Sequence, residues 1–329
     1  MTVKGMPERA GGTRQGENGA KAVVWSSRSL AFKWQYRFFY ALLKIGGLGP
    51  ARFFLFFVTL VLTLRPEVFG RSRHYLERRF GPAPFFRRFG RTFRLYLGFA
   101  NVILDRAAGG ILGRLDIAAP AEDVEAFRSA LAGGKGLIVL SAHAGCWQTA
   151  VAGLNFGRVV QVVQYRDARD IDRHVFEYGS FNDFPEIKLI SATSRFGGFV
   201  EMTAALSRGE IICLMGDRVT LADRHSIRLD FLGGEVSFPG AAYMLAAVAK
   251  VPVFVVFSTR IGSCKVESRI YAKLEVQPRL PRTVEALRPY VQRFASALEE
   301  FVREYPFQFF NFYDLWTLTN KENRADDRT

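Results

Sequence analysis

From about residue 120 onward the chain alternates short apolar, β-branched runs with helical stretches, and this alternation confines it to an α/β architecture. Strands are predicted at 136–141, 159–164, 187–190, 210–215, 227–231, 253–258 and 270–276, with helices at 199–207, 241–249 and 284–302. Strands separated by helices imply a mainly parallel or mixed sheet flanked by helices on both faces. There is no internal repeat.

The octapeptide Ser141-Ala142-His143-Ala144-Gly145-Cys146-Trp147-Gln148 follows the apolar run 137–140, so a histidine falls where a buried strand hands over to a helix. Strand ends of open α/β sheets form ligand crevices, and a following helix offers backbone N–H groups to developing negative charge. The chain has only 4 histidines, which gives this placement weight. A lone histidine is more often a structural hydrogen-bonder than a base, so its surroundings must decide. Cys146, three residues on, suggests a Cys/His nucleophile, but a cysteine there is more often a small apolar filler.

A histidine followed five positions later by an acid, with glycine and an aromatic between, is the signature that this octapeptide resembles. It is that of the lysophospholipid acyltransferase superfamily, especially its bacterial lipid A acyltransferase branch. The resemblance continues through Gln164-Tyr165-Arg166, Gly216-Asp217-Arg218, Asp230-Phe231-Leu232-Gly233-Gly234 and Ser237-Phe238-Pro239-Gly240, over roughly residues 25 to 316. It implies acyl transfer from an acyl carrier protein or acyl-CoA thioester to a lipid or glycolipid acceptor, at the cytoplasmic face of an inner membrane. Such chemistry needs a base for the acceptor proton and a donor for the tetrahedral oxyanion, but no metal or cofactor. His143 is then the base.

The family's acid is replaced here by Gln148, which leaves three readings. Gln148 orients His143 through its carbonyl without supplying charge, another acid such as Asp217 takes over, or the chain binds lipid or acyl carrier without turnover. In the first case Gln148→Leu is severe and Gln148→Glu harmless. Arg166 resembles the family's substrate-side arginine, suited to phosphate or oxyanion, with Tyr165 and Arg169 beside it; the alternative is a surface salt-bridge cluster. Asp217 and Arg218 close another strand and either line the cleft or pair with each other. Ser237 to Gly240 read as a turn opening a helix, with Gly233 and Gly234 permitting close backbone approach; they shape an acceptor pocket with Phe238, or simply pack.

With 329 residues, 49% of them hydrophobic, the chain can bury a large single core. A net charge of +14 calls for an anionic partner. No helix-turn-helix, zinc finger or RNA-recognition motif is present, so an acidic carrier protein and an anionic membrane surface are preferred to nucleic acid. The 3 cysteines are odd in number and far apart, and suggest neither a disulfide framework nor a zinc site.

Residues 1–22 read as a disordered lead, 23–118 as a basic and aromatic helical membrane-associating region, 119–316 as the acyltransferase-like domain and 317–329 as a polar tail. Residues 53–64 are uncharged and apolar, but twelve helical residues reach roughly 18 Å, short of a hydrocarbon slab of roughly 30 Å. The arginines from Arg65 to Arg94, interleaved with phenylalanines, add a second, electrostatic signal for membrane attachment. The plainer alternative is a solvated basic helix pair packing its phenylalanines inward.

Overall fold

The structure, a computed structural model, describes residues 33–150, 153–164, 185–192, 198–219 and 225–316. The expected lead, the polar tail, and Tyr165, Arg166 and Arg169 lie outside the described residues. The chain divides into Met1–Leu30 and Ala31–Thr329, and all of the following concerns the second unit.

Five helices come first: α1 (Lys33–Gly46), α2 (Leu48–Thr63), α3 (Pro66–Arg71), α4 (Arg73–Phe80) and α5 (Phe85–Leu112). There follow β1 (Asp116–Ala118), α6 (Ala121–Ala132), β2 (Leu137–Ser141), α7 (Trp147–Ala150), β3 (Val160–Gln164), β4 (Ile187–Ser191), α8 (Phe199–Ser207) and β5 (Ile211–Met215). The chain continues with β6 (Ser226–Asp230), β7 (Glu235–Pro239), α9 (Ala241–Ala249), β8 (Val253–Gly262), β9 (Lys265–Leu274), α10 (Val284–Glu304) and a 3-10 turn at Pro306–Gln308.

Seven strands form one mixed, mostly parallel sheet in the order β1-β9-β8-β2-β5-β3-β4. The block β8-β2-β5-β3-β4 is parallel throughout, β9 folds back antiparallel on β8, and β1 runs parallel to β9. Strand β2 is at the centre, which explains its unbroken apolar run. Successive side chains point to opposite faces, and both faces are covered. Ile138 and Leu140 enter a core with Tyr243, Phe294, Leu298 and Phe301, whereas Leu137 and Val139 meet Phe127 and Leu131 of α6 on the other side.

Two expectations need correction. The strand expected at 227–231 lies outside the main sheet; β6 pairs only with β7 as a two-stranded hairpin. The segment read as a turn, Ser237 to Pro239, is the second arm of that hairpin. Leu232 (φ 50) and Gly233 (φ 71) make the tight connection, and Phe231 and Gly234 exchange backbone hydrogen bonds of 2.8 and 3.3 Å across it. Positive φ at both loop residues matches the right-handed twist of the arms. Pro239 misleads because proline usually ends a strand reading; here it is the last residue of an edge strand, where no ladder donor is needed.

The N-terminal helices are tied to the sheet. Tyr75, Leu76, Leu95 and Val102 share its main core. Asp105 of α5 is buried yet receives Arg52 Nη2 of α2 at 2.7 Å, Arg260 Nε of β8 at 2.8 Å and the Cys264 backbone N–H at 2.9 Å. A buried carboxylate is tolerable only with such saturation. Helix α5 is long and apolar enough to cross a membrane by length and composition, but 44% of its apolar 18-residue stretch is buried in the protein. Helix α2 buries Ala51, Leu55, Thr59 and Thr63 at four-residue spacing and turns its phenylalanines outward.

Candidate active site

Strands β2 and β5 are parallel neighbours, and their register sets Ser141 opposite Met215. One residue on, the Gly216 N–H donates to the Ser141 carbonyl at 2.8 Å. Two residues beyond the matched pair, the strands deliver His143 and Asp217 to the same level at the carboxyl edge of the sheet. Nδ1 of His143 lies 2.9 Å from Oδ1 and 3.0 Å from Oδ2 of Asp217. Asp217 is buried, whereas the His143 side chain keeps 22% exposure.

An ionised carboxylate only accepts, so Nδ1 carries the proton in this pair and Nε2 holds the free lone pair. Burial pushes the imidazole pKa below its ordinary 6.5, against the opposing pull of Asp217. Burial would raise the Asp217 carboxyl, but the His143 imidazole and the Arg218 guanidinium outweigh it and hold the group below the usual carboxylate range. The pair is therefore a neutral imidazole on an ionised carboxylate at neutral pH.

The turn after His143 is fixed by its backbone. Gly145 (φ 55) donates its N–H to the Gln308 carbonyl and Cys146 donates to the Ser258 carbonyl, both at 2.6 Å; Ala144 donates to the Ala142 carbonyl, also at 2.6 Å. The Phe310 N–H donates to the His143 carbonyl at 2.9 Å, and Ala144 bridges Phe309. The N–H groups of residues 144 to 146 are thus consumed by the fold, and the helix that follows, α7, is only 4 residues long.

Gln148, on α7, is half-buried, and the hydrogen-bond partner of the His143 ring among the described residues is Asp217. Arg218 sits beside the pair, with Nε 3.6 Å from Asp217 Oδ2, Nη2 donating to the Phe310 carbonyl at 3.4 Å, and its guanidinium carbon 5.2 Å from the Tyr313 ring centroid. Trp147, Phe310 and Phe99 of α5 form an aromatic wall next to the imidazole, the His143 and Trp147 rings lying 5.5 Å apart. Cys146 is buried in the main core.

The remaining sequence-derived positions lie elsewhere. The Gly233 carbonyl accepts Arg78 Nη1 at 2.9 Å, and a Cβ on Gly234 would stand 2.3 Å from the same guanidinium, so the close approach at these glycines is made by Arg78. Phe238 is buried against Phe231 and Phe294. Ser237 Oγ is buried with no hydrogen-bond partner among the described residues. Among the described residues no group of His, Cys, Asp or Glu side chains gathers as metal ligands. Sequence reasoning missed Gln308 and the backbone of Phe309 and Phe310, which reach the His143 turn from the segment after α10; the only signal was the aromatic density of 306–316.

An α/β sheet carrying a His–Asp pair at its carboxyl edge is an arrangement that suits hydrolytic or group-transfer chemistry. Comparison with protein families narrows this: the family described as bacterial lipid A biosynthesis acyltransferase matches residues 111–317, and the chain belongs to that family. A search of curated proteins finds no match.

Proposed function

We propose that this acyltransferase moves a fatty acyl group from an acyl carrier protein or CoA thioester to a lipid or glycolipid acceptor, with His143 as general base. The observation that carries the reading is the bond from His143 Nδ1 to Asp217, which leaves Nε2 as the one basic position of the imidazole. The acceptor's proton passes to Nε2 while its heteroatom bonds to the thioester carbonyl carbon. The tetrahedral intermediate then expels the thiolate, which leaves with the proton from the imidazolium. Asp217 keeps the tautomer and offsets the charge on the imidazolium; Arg218, with Arg166 as a further candidate, faces the oxyanion. In this reading Asp217 takes the role first given to Gln148. Incubating the purified protein with an acyl carrier protein thioester, acyl-CoA and lipid or glycolipid acceptors tests the proposal, and the absence of transfer in every combination returns the chain to the reading of a non-catalytic binding protein.

The base must be neutral, so activity is full above the pKa of His143 and is lost as pH falls through it. Because burial depresses that pKa, the acid limb of kcat/KM against pH lies below 6.5. Gln148→Leu keeps that limb in place and costs less than about tenfold in rate, well below the effect of losing a carboxylate partner. A loss with Gln148→Leu that Gln148→Glu restores would return the orienting role to Gln148.

Attachment to the cytoplasmic face of an inner membrane belongs to the same reading, and the outward face of the N-terminal helices supports its membrane contact. Phe53 is 61% exposed and Phe86 87%, alongside Phe54, Phe56, Phe57, Val61 and Leu64. On α2 the rings of Phe53, Phe54, Phe56 and Phe57 touch one another, and such an exposed apolar patch marks a binding surface. The arginines are not equal contributors. Arg78 donates to Gly233, Arg79 donates to the carbonyls of Val302 and Arg303, and Arg91 donates to Gly81, so these three help hold the fold. Arg65 and Arg87 are exposed. At on the order of 1 kcal/mol per basic residue, replacing both by Gln weakens binding to anionic vesicles roughly 30-fold at low salt and leaves neutral vesicles unaffected. Unchanged binding in a flotation assay would assign the arginines to the acidic acyl carrier protein instead.

A further inference from the structure

The segment that follows α10 does more than close the fold. Phe310 lends its N–H to the carbonyl of His143 and its own carbonyl to Arg218. Three residues on, the Tyr313 ring takes the face of the Arg218 guanidinium at 5.2 Å, within cation–π range. Arg218 in turn stands 3.6 Å from Asp217. Each of these partners grips a different part of the arginine, and the segment therefore fixes both the loop that carries the base and the cation nearest to it.

We propose that Tyr313 is a positioning residue for acyl transfer, its ring holding the Arg218 guanidinium beside the His143–Asp217 pair. The inference rests on the reading of His143 as base. Two groups among the described residues act on the charge of His143: Asp217, which favours the protonated imidazole, and Arg218, which opposes it. Tyr313 faces both of them from the C-terminal segment, while the α5 side of the site presents Phe99 and the α7 side Trp147. A guanidinium released from the ring moves away from Asp217 and relieves its opposition to the imidazolium. The base then becomes easier to protonate and the oxyanion loses a nearby cation.

This gives a signed test that packing alone would not meet. With the full-length protein and an acyl-CoA donor, Tyr313→Leu lowers kcat roughly tenfold with little change in KM and moves the acid limb of the pH profile upward. Tyr313→Phe, which keeps the ring, restores the limb and most of the rate. In an Arg218→Gln background Tyr313→Leu adds nothing further, since the two changes remove one interaction. An acid limb that stays in place with Tyr313→Leu, a Phe variant that behaves like the Leu variant, or additive losses with Arg218→Gln would each overturn the proposal. His143→Ala, run in parallel, separates the two failures: turnover retained there defeats the base assignment itself, whereas a dead His143→Ala with a parent-like Tyr313→Leu defeats the Tyr313 role only.

Discussion

Asp217→Asn leaves a folded protein whose transfer rate is down by about 10⁴, the scale seen when a histidine loses its orienting carboxylate elsewhere. The amide can donate as well as accept, so it can hold the imidazole with its proton on the wrong nitrogen, and it brings no charge to meet the imidazolium. The change is nearly isosteric, but it removes an anion that His143 and Arg218 stabilise in the fold, so the melting temperature falls by several degrees while the protein stays folded. His143→Ala is at least as damaging, and the double variant is hardly worse than either single one, because the two side chains act as a unit. Initial rates and circular-dichroism melts of the three variants check this. A folded Asp217→Asn protein working at parental rate would detach the aspartate from the chemistry.

Gly145→Ala attacks the same turn through the backbone. A Cβ there would stand 1.9 Å from the Ser258 carbonyl oxygen and 3.3 Å from the Phe301 ring, at a φ of 55 that L-residues resist. The Gly145 and Cys146 N–H groups bond to Gln308 and Ser258, so the turn cannot yield without losing both. The expected cost is about 4 kcal/mol or more, enough to leave the protein largely unfolded or insoluble. Gly113, also at positive φ (61) but with nothing within 4 Å, is the control: its Ala variant carries only the backbone penalty of roughly 1 kcal/mol. Thermal melts of the two variants compare them directly, and equal small shifts would show that the contact at Gly145 relaxes cheaply.

The contrast between what periodicity reveals and what it hides is clear in these elements. Strands β2, β3 and β5 and helices α8 and α9 were legible almost to the residue, since each has an apolar run or stripe bounded by glycine or a polar break. The β6–β7 hairpin was obscured by Pro239, and the first half of β9 by its alternation of charged residues, which the pairing with β8 stabilises instead. At the site, His143 was visible from its place after a buried strand. Its partnership with Asp217 was one of several readings, because it depends on β2 and β5 being neighbours in register, a property of strand order that no local pattern encodes. The aromatic density of 306–316 marked the segment, but the bonds that Phe309 and Phe310 make to the His143 turn were hidden for the same reason: they come from backbone groups, which carry no signature in residue type.

That last contact also orders events in time. The loop bearing His143 is synthesised directly after β2, but the carbonyl and N–H groups that finish it belong to residues 308–310, beyond α10. A chain still being made can assemble strand after strand and yet present an unfinished His143 loop. The His143 loop is therefore completed only by residues that follow every strand of the sheet and every helix that carries the apolar patch.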